Sequence, residues 1–218
     1  MGYCVDIYFK IREIDTEKLL KKIVEELKKS IPDVVIEKRR FRGPYAIHTS
    51  YWIKKEGLYE FGIFLKTRKT NPYHQPPIPK GYLYLILSAG LFHFDTYGYS
   101  DKEEIEKRKK VEKITKEFLK CAKIIYYIVK PEAGAGDHEL TLEHYNYDLE
   151  NRIYWINFFL PERVKKIGKE KFLTAPAYKV EELKDGGILL IATKEQGMAG
   201  PEITEKIAKH LGLMENEQ

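Results

Sequence analysis

Two stretches of this chain place strand-like runs on both sides of a glycine turn, and they fix the kind of sheet it can build. SYWIKKEGLYEFGIFLKT (50–67) turns at Glu56-Gly57, and AYKVEELKDGGILLIAT (177–193) turns at Lys184-Asp185-Gly186-Gly187. Strands joined this closely pair antiparallel, because a parallel pair needs a crossover of a dozen or more residues. Further strand-like runs lie at 3–11, 34–38, 82–88, 91–97 and 152–159, with Ala89-Gly90 flanked by two of them. Helical spacing runs over 16–30 behind Asp15, and from a Ser100–Glu103 capping box to about 127. It recurs from Pro161 with a break at Gly168, and from Pro201 to Gly212. The expected fold class is α+β, a mainly antiparallel sheet with helices packed on one side. The order strand, helix, hairpin occurs twice, which allows two halves, 1–130 and 131–218, or one composite domain.

Apolar residues make up 43% of the chain, enough for a sizeable core, and 16 tyrosines and 10 phenylalanines make it aromatic. No apolar run approaches the ~20 residues that span a bilayer. The start, MGYCVDIYFK, lacks a signal peptide's basic opening and cleavage site, and Asp6 stands where a myristoylation motif wants Ser or Thr. A cytoplasmic protein with no membrane partner is expected. Cys4 and Cys121 stand apart among apolar neighbours, as buried free thiols do. Charged residues reach 33% while glutamine occurs three times, a balance that points to a thermophile. The net charge of +5 is spread along the chain and does not by itself call for nucleic acid.

Chemistry-bearing side chains crowd together in PEAGAGDHELTLEHYNYD, residues 131–148. Gly134-Ala135-Gly136 reads as a hinge or turn, followed by Asp137, His138, Glu139, Glu143, His144 and Asp148. The run superficially resembles a zinc-protease helix, which needs histidines four apart on one face. Here they are six apart, which at ~100° per residue sets them about 120° from each other. A strand would put His138 and His144 on one face and Glu139 and Glu143 on the other. Neither geometry builds the zinc site. The segment reads as a mobile connection and a place for a partner.

A second candidate is His93 and Asp95, which share a strand face and would need a third ligand from His138 or Glu139; with His138 they would make the metal site of a metal-dependent hydrolase. A third is the basic run Lys38-Arg39-Arg40-Phe41-Arg42, where Arg39, Arg40 and Arg42 with an aromatic suit a phosphate backbone. The other basic run, 107–110, follows Glu103, Glu104 and Glu106, and i,i+4 pairing absorbs it. Nucleophile elbows and phosphate loops are missing, and Gly197–Pro201 leads into a helix N-terminus able to receive an anion only weakly.

Trp155-Ile156-Asn157, Leu160-Pro161-Glu162-Arg163-Val164, Ile167-Gly168, Ala175-Pro176 and Val180 through Leu190 make the C-terminal third similar to the tail of a group of bacterial proteins. Some of those look like immunity proteins of polymorphic toxin systems. That resemblance implies a small α+β protein that neutralises a toxin by binding it, and it brings no catalytic residue. The reading that follows is a non-enzymatic protein-binding, immunity-like module with no cofactor. Its surface would lie near the proline-rich loop (Tyr73, His74) and at His138, Glu139 and His144, since Tyr and Arg favour interfaces. Nucleic-acid binding through the 38–42 run and a metal-dependent hydrolase are the alternatives.

Overall fold

The first strand of the chain becomes the centre of its sheet. In the computed structural model, which describes residues 4–42, 47–67, 78–90, 101–194 and 199–214, β1 (Cys4–Arg12) pairs with β5 (Tyr82–Gly90) on one side and β6 (Ala133–His138) on the other. Outward from β5 come β4 (Tyr59–Lys66), β3 (Ile47–Lys55) and β2 (Val35–Arg42). Outward from β6 come β7 (Ile156–Phe159), β9 (Ile188–Ile191) and β8 (Lys179–Glu182). The order is β2-β3-β4-β5-β1-β6-β7-β9-β8, and each of these pairs is antiparallel. The chain is thus α+β with an antiparallel sheet, as the hairpin turns require. The Glu56-Gly57 and Gly186 turns sit where expected, and Gly57 (φ 67°) and Gly186 (φ 86°) supply the left-handed backbone those turns need.

Alternation sorts β1 onto two faces. Val5, Ile7, Phe9 and Ile11 point to a core shared with α1 (Thr16–Ser30) and α2 (Asp101–Val129). Asp15 caps α1 by accepting from the backbone N–H groups of Glu17 and Lys18, both at 3.1 Å. Val111, Ile114, Phe118, Ala122 and Ile125 line the buried stripe of α2, with the Phe118 ring edge-on to Phe61.

The expectation of helices on one side holds for these two long helices alone. In the C-terminal strands Ile156, Phe158, Leu189 and Ile191 join the α2 face, while Phe159, Ile188 and Leu190 face the other way. There they pack with Val164 of α4 (Pro161–Ile167), Phe172 of α5 (Lys169–Leu173) and Ile207 of α6 (Pro201–Leu211). A continuous apolar run such as ILLI demands cover on both faces, whereas strict alternation demands it on one. Helix α3 (Glu139–His144) lies on that second face too, with Leu142 among Tyr8, Ala135 and Tyr154.

Other boundaries also shift. Ala89 and Gly90 do not turn the chain; they continue β5, opposite Val5 and Cys4, and the run at 91–97 lies outside the described residues. The strand expected at 152–159 begins only at Ile156. Cys121 is fully buried and Cys4 half-buried. Among the described residues no helix is long and apolar enough to cross a membrane.

Candidate functional site

The segment 131–148 is built on β6, and Gly134 and Gly136 are not a hinge. They sit in the sheet's interior, Gly134 between Phe9 and Phe158 and Gly136 between Ile7 and Ile156. A Cβ at Gly134 would stand 2.9 Å from Phe9 Cδ1 and 3.2 Å from Phe158 Cβ. At Gly136 it would stand 2.6 Å from Ile7 Cγ1 and 2.9 Å from the Asp6 carbonyl oxygen. The missing side chains let the Phe9 and Phe158 rings meet above the strand, with centroids 5.4 Å apart. Glycine here answers close packing rather than freedom.

Asp137 closes the strand with its side chain wholly buried. Its Oδ1 accepts from the His138 N–H at 2.7 Å, and its Oδ2 accepts from the Trp155 N–H at 2.9 Å. Burial pushes this carboxyl up to about 7, and the two backbone donors oppose that rise. Asp6, also buried, is its cross-strand neighbour. Asn157 ties down the same stretch: its Oδ1 accepts from the Tyr154 N–H at 2.9 Å, and its Nδ2 donates to the Tyr154 carbonyl at 2.7 Å. Two polar side chains therefore take up the Tyr154 N–H and carbonyl and the Trp155 N–H in place of a strand partner, and the strand starts late.

The histidines serve different ends of one short helix. His138 Nδ1 accepts from the Leu140 N–H at 3.2 Å and caps α3, while His144 is exposed at its far end, edge-on to Tyr145 at 4.8 Å. Glu139 opens the helix between them. Among the described residues no group of three His, Cys, Asp or Glu side chains is placed to hold a metal ion. His93 and Asp95 of the metal alternative, and Tyr73 and His74 of the binding surface, lie outside the described residues.

Beyond α3 the chain turns back through Asn146 and Tyr147, both left-handed (φ 51° and 54°), a costly conformation for tyrosine. The turn presses the Tyr147 ring onto Tyr8, with centroids 5.0 Å apart. It also brings the Arg152 guanidinium over the Tyr145 ring at 4.1 Å. Two cavities flank Tyr145. One, of about 270 Å³, reaches down to Asp137 between Leu140, Thr141, His144 and the start of α6 at Ala199 and Pro201. The other, of about 220 Å³, runs past Asp148 and Arg152 to Ala208, Leu213 and Met214. Tyr145, Ile153 and Thr204 line both, so the two form one groove between α6 and the layer made by α3 and its following loop.

Within the 38–42 basic run, Arg39 is engaged by carboxylates of its own sheet. Arg39 is paired with Glu37 at 3.3 Å and Glu60 at 3.1 Å, and lies over the Trp52 ring at 4.8 Å. Arg40 and Arg42 continue β2 opposite Thr49 and Ile47. In the second run Arg108 pairs with Glu104 as its spacing requires.

Tyr145, Arg152 and the α6 wall were not legible as a site. The signal for Tyr145 was its place beside His144; the contribution of α6 comes from some sixty residues further on, and no local pattern announces it. No protein-family model matches the chain, and no curated protein matches its sequence.

Proposed function

We propose that this chain is a binding protein that takes a segment of a partner protein into the groove between α6 and the α3 layer. The observation that carries the reading is the meeting of the two cavities at Tyr145, Ile153 and Thr204, with an Arg-stacked tyrosine between them. Tyrosine and arginine are the residue types that dominate binding energy in interfaces. Leu140, Leu213 and Met214 offer apolar surface over a floor that includes the buried Ile153 and Ala208, and His144, Asp148, Asn151 and Glu205 a polar rim. The immunity-type resemblance of the C-terminal third supports the same role. A cytoplasmic setting fits the two free thiols.

The alternatives have less behind them. Arg39, the described arginine of the basic run, is held by two glutamates. His138, the described member of the metal set, uses its Nδ1 as a helix cap.

Affinity capture from native lysate on the immobilised full chain tests the proposal. A partner held through the groove is retained by the native chain and lost, by about 30-fold or more in affinity, with Tyr145→Ala/Arg152→Ala. An unchanged set of captured proteins on the double variant refutes it.

A further inference from the structure

The two edges of the sheet are not alike. Strand β8 is four residues long and its charges are tied inward: Glu181 pairs with Lys123 and Lys179 at 2.8 Å each, and Glu182 with Lys169 at 2.7 Å. Short length and fixed charges are ordinary ways of blunting an edge. Strand β2 is eight residues long and pairs one-to-one with β3 from Val35↔Lys54 to Arg42↔Ile47, with no bulge and no proline. Among the described residues nothing pairs with its outer side, so it presents a row of backbone N–H and C=O groups.

Charge decides what such an edge accepts. VIEKRRFR carries one glutamate against four basic residues. Arg39 is occupied by Glu37 and Glu60; Lys38 is exposed, and the sequence sets Arg40 and Arg42 at the following alternate positions of the strand, about 6.7 Å apart. A second copy of β2 laid antiparallel on this edge would bring like charges face to face, which destabilises a pair. A strand with carboxylates at alternate positions would meet them in register. We propose that β2 is an acceptor edge for an acidic extended segment of a partner protein, bound by strand addition. The surface is separate from the groove, which lies across the sheet beside β6, so either reading can fail without the other.

The test uses the full chain and a fluorescein-labelled, end-blocked octapeptide of alternating glutamate and valine, followed by anisotropy. Saturable binding is expected, falling about tenfold in Lys38→Glu/Arg40→Glu, the scale of two reversed surface pairs. The fully N-methylated peptide keeps every charge but cannot complete a ladder, and it is expected not to bind. Equal binding of the N-methylated peptide, equal binding of a lysine–valine peptide, or no binding at all overturns the proposal. Concentration-dependent dimerisation abolished by the same substitutions assigns the edge to a second copy, and tighter binding of a single-stranded oligonucleotide assigns it to nucleic acid; both overturn it. The N-methylated peptide on the unaltered chain keeps the test decisive if the double variant fails to fold.

Discussion

Replacing Gly136 with alanine separates a packed central strand from a mobile connection, because the two give opposite signs. In a flexible link the added methyl removes freedom from the unfolded chain and stabilises by about 0.4–1 kcal/mol. In the structure the new Cβ meets Ile7 Cγ1 at 2.6 Å, the Asp6 carbonyl oxygen at 2.9 Å and Ile7 Cα at 3.1 Å. Two of these three atoms belong to the backbone of β1, which is itself held by β5 on its other side, so relief requires moving the sheet's centre. Inserting one carbon into such packing costs about 1–3 kcal/mol, and the backbone obstacles place Gly136→Ala toward the upper end. Gly134→Ala meets side-chain atoms (Phe9 Cδ1 at 2.9 Å, Cε1 at 3.1 Å, Phe158 Cβ at 3.2 Å) that can shift, so its cost is lower, about 1–2 kcal/mol. Guanidinium chloride unfolding at 25 °C reads both as a fall in midpoint at constant slope. An unchanged or raised midpoint in Gly136→Ala refutes the packing argument.

Asp137 should leave a signature in the pH dependence of stability. Its folded value of about 7 lies above the ordinary 3.8, so the unfolded chain gives up this proton first as pH rises. The stability it contributes is complete below about pH 4 and is lost as pH rises through about 7. The difference between the native chain and Asp137→Asn should therefore change by as much as about 4 kcal/mol between pH 4 and pH 8, with the native chain losing ground. Asparagine keeps only one acceptor for the two N–H groups of His138 and Trp155, but that loss does not vary with pH. A pH-independent difference in unfolding free energy contradicts the raised value. Phe118→Ala, which empties a wholly buried site between α2 and β4, should cost about 3–5 kcal/mol by the same denaturant assay, and a cost below about 1 kcal/mol would misplace α2. Burial pushes the Cys121 thiol up, so a thiol reagent at pH 8 should label it only after unfolding; rapid labelling in the native state would contradict its position.

The elements legible in the sequence were those with local causes. Asp15, Pro161, Gly168, Pro201 and Gly212 mark helix limits through capping or backbone chemistry that acts within a few residues, and each limit is found there. Hairpin turns are local in the same sense. What escaped depends on neighbours distant in the chain. Gly134-Ala135-Gly136 carries a turn's composition, and only the aromatic residues arriving from β1 and β7 make it a strand. The late start of β7 accompanies Asp137 reaching the Trp155 N–H across eighteen residues. The two-sided cover of the sheet was present in ILLI, whose unbroken apolar run contrasts with the alternation of β1, but it was outweighed by the hairpin pattern. At the site, the histidines drew attention by residue type, yet the groove depends more on Tyr145, Arg152 and Ile153.

The groove itself is tested most directly by site-specific photocrosslinking. A benzophenone side chain at Leu140, half exposed on the groove's lip, is compared with one at Lys22, exposed on α1 across the sheet. In native lysate the Leu140 probe should form a discrete protein adduct that the Lys22 probe does not, and Tyr145→Ala/Arg152→Ala should abolish it. Identical adducts from both positions, or none from Leu140, would contradict the groove as the binding surface.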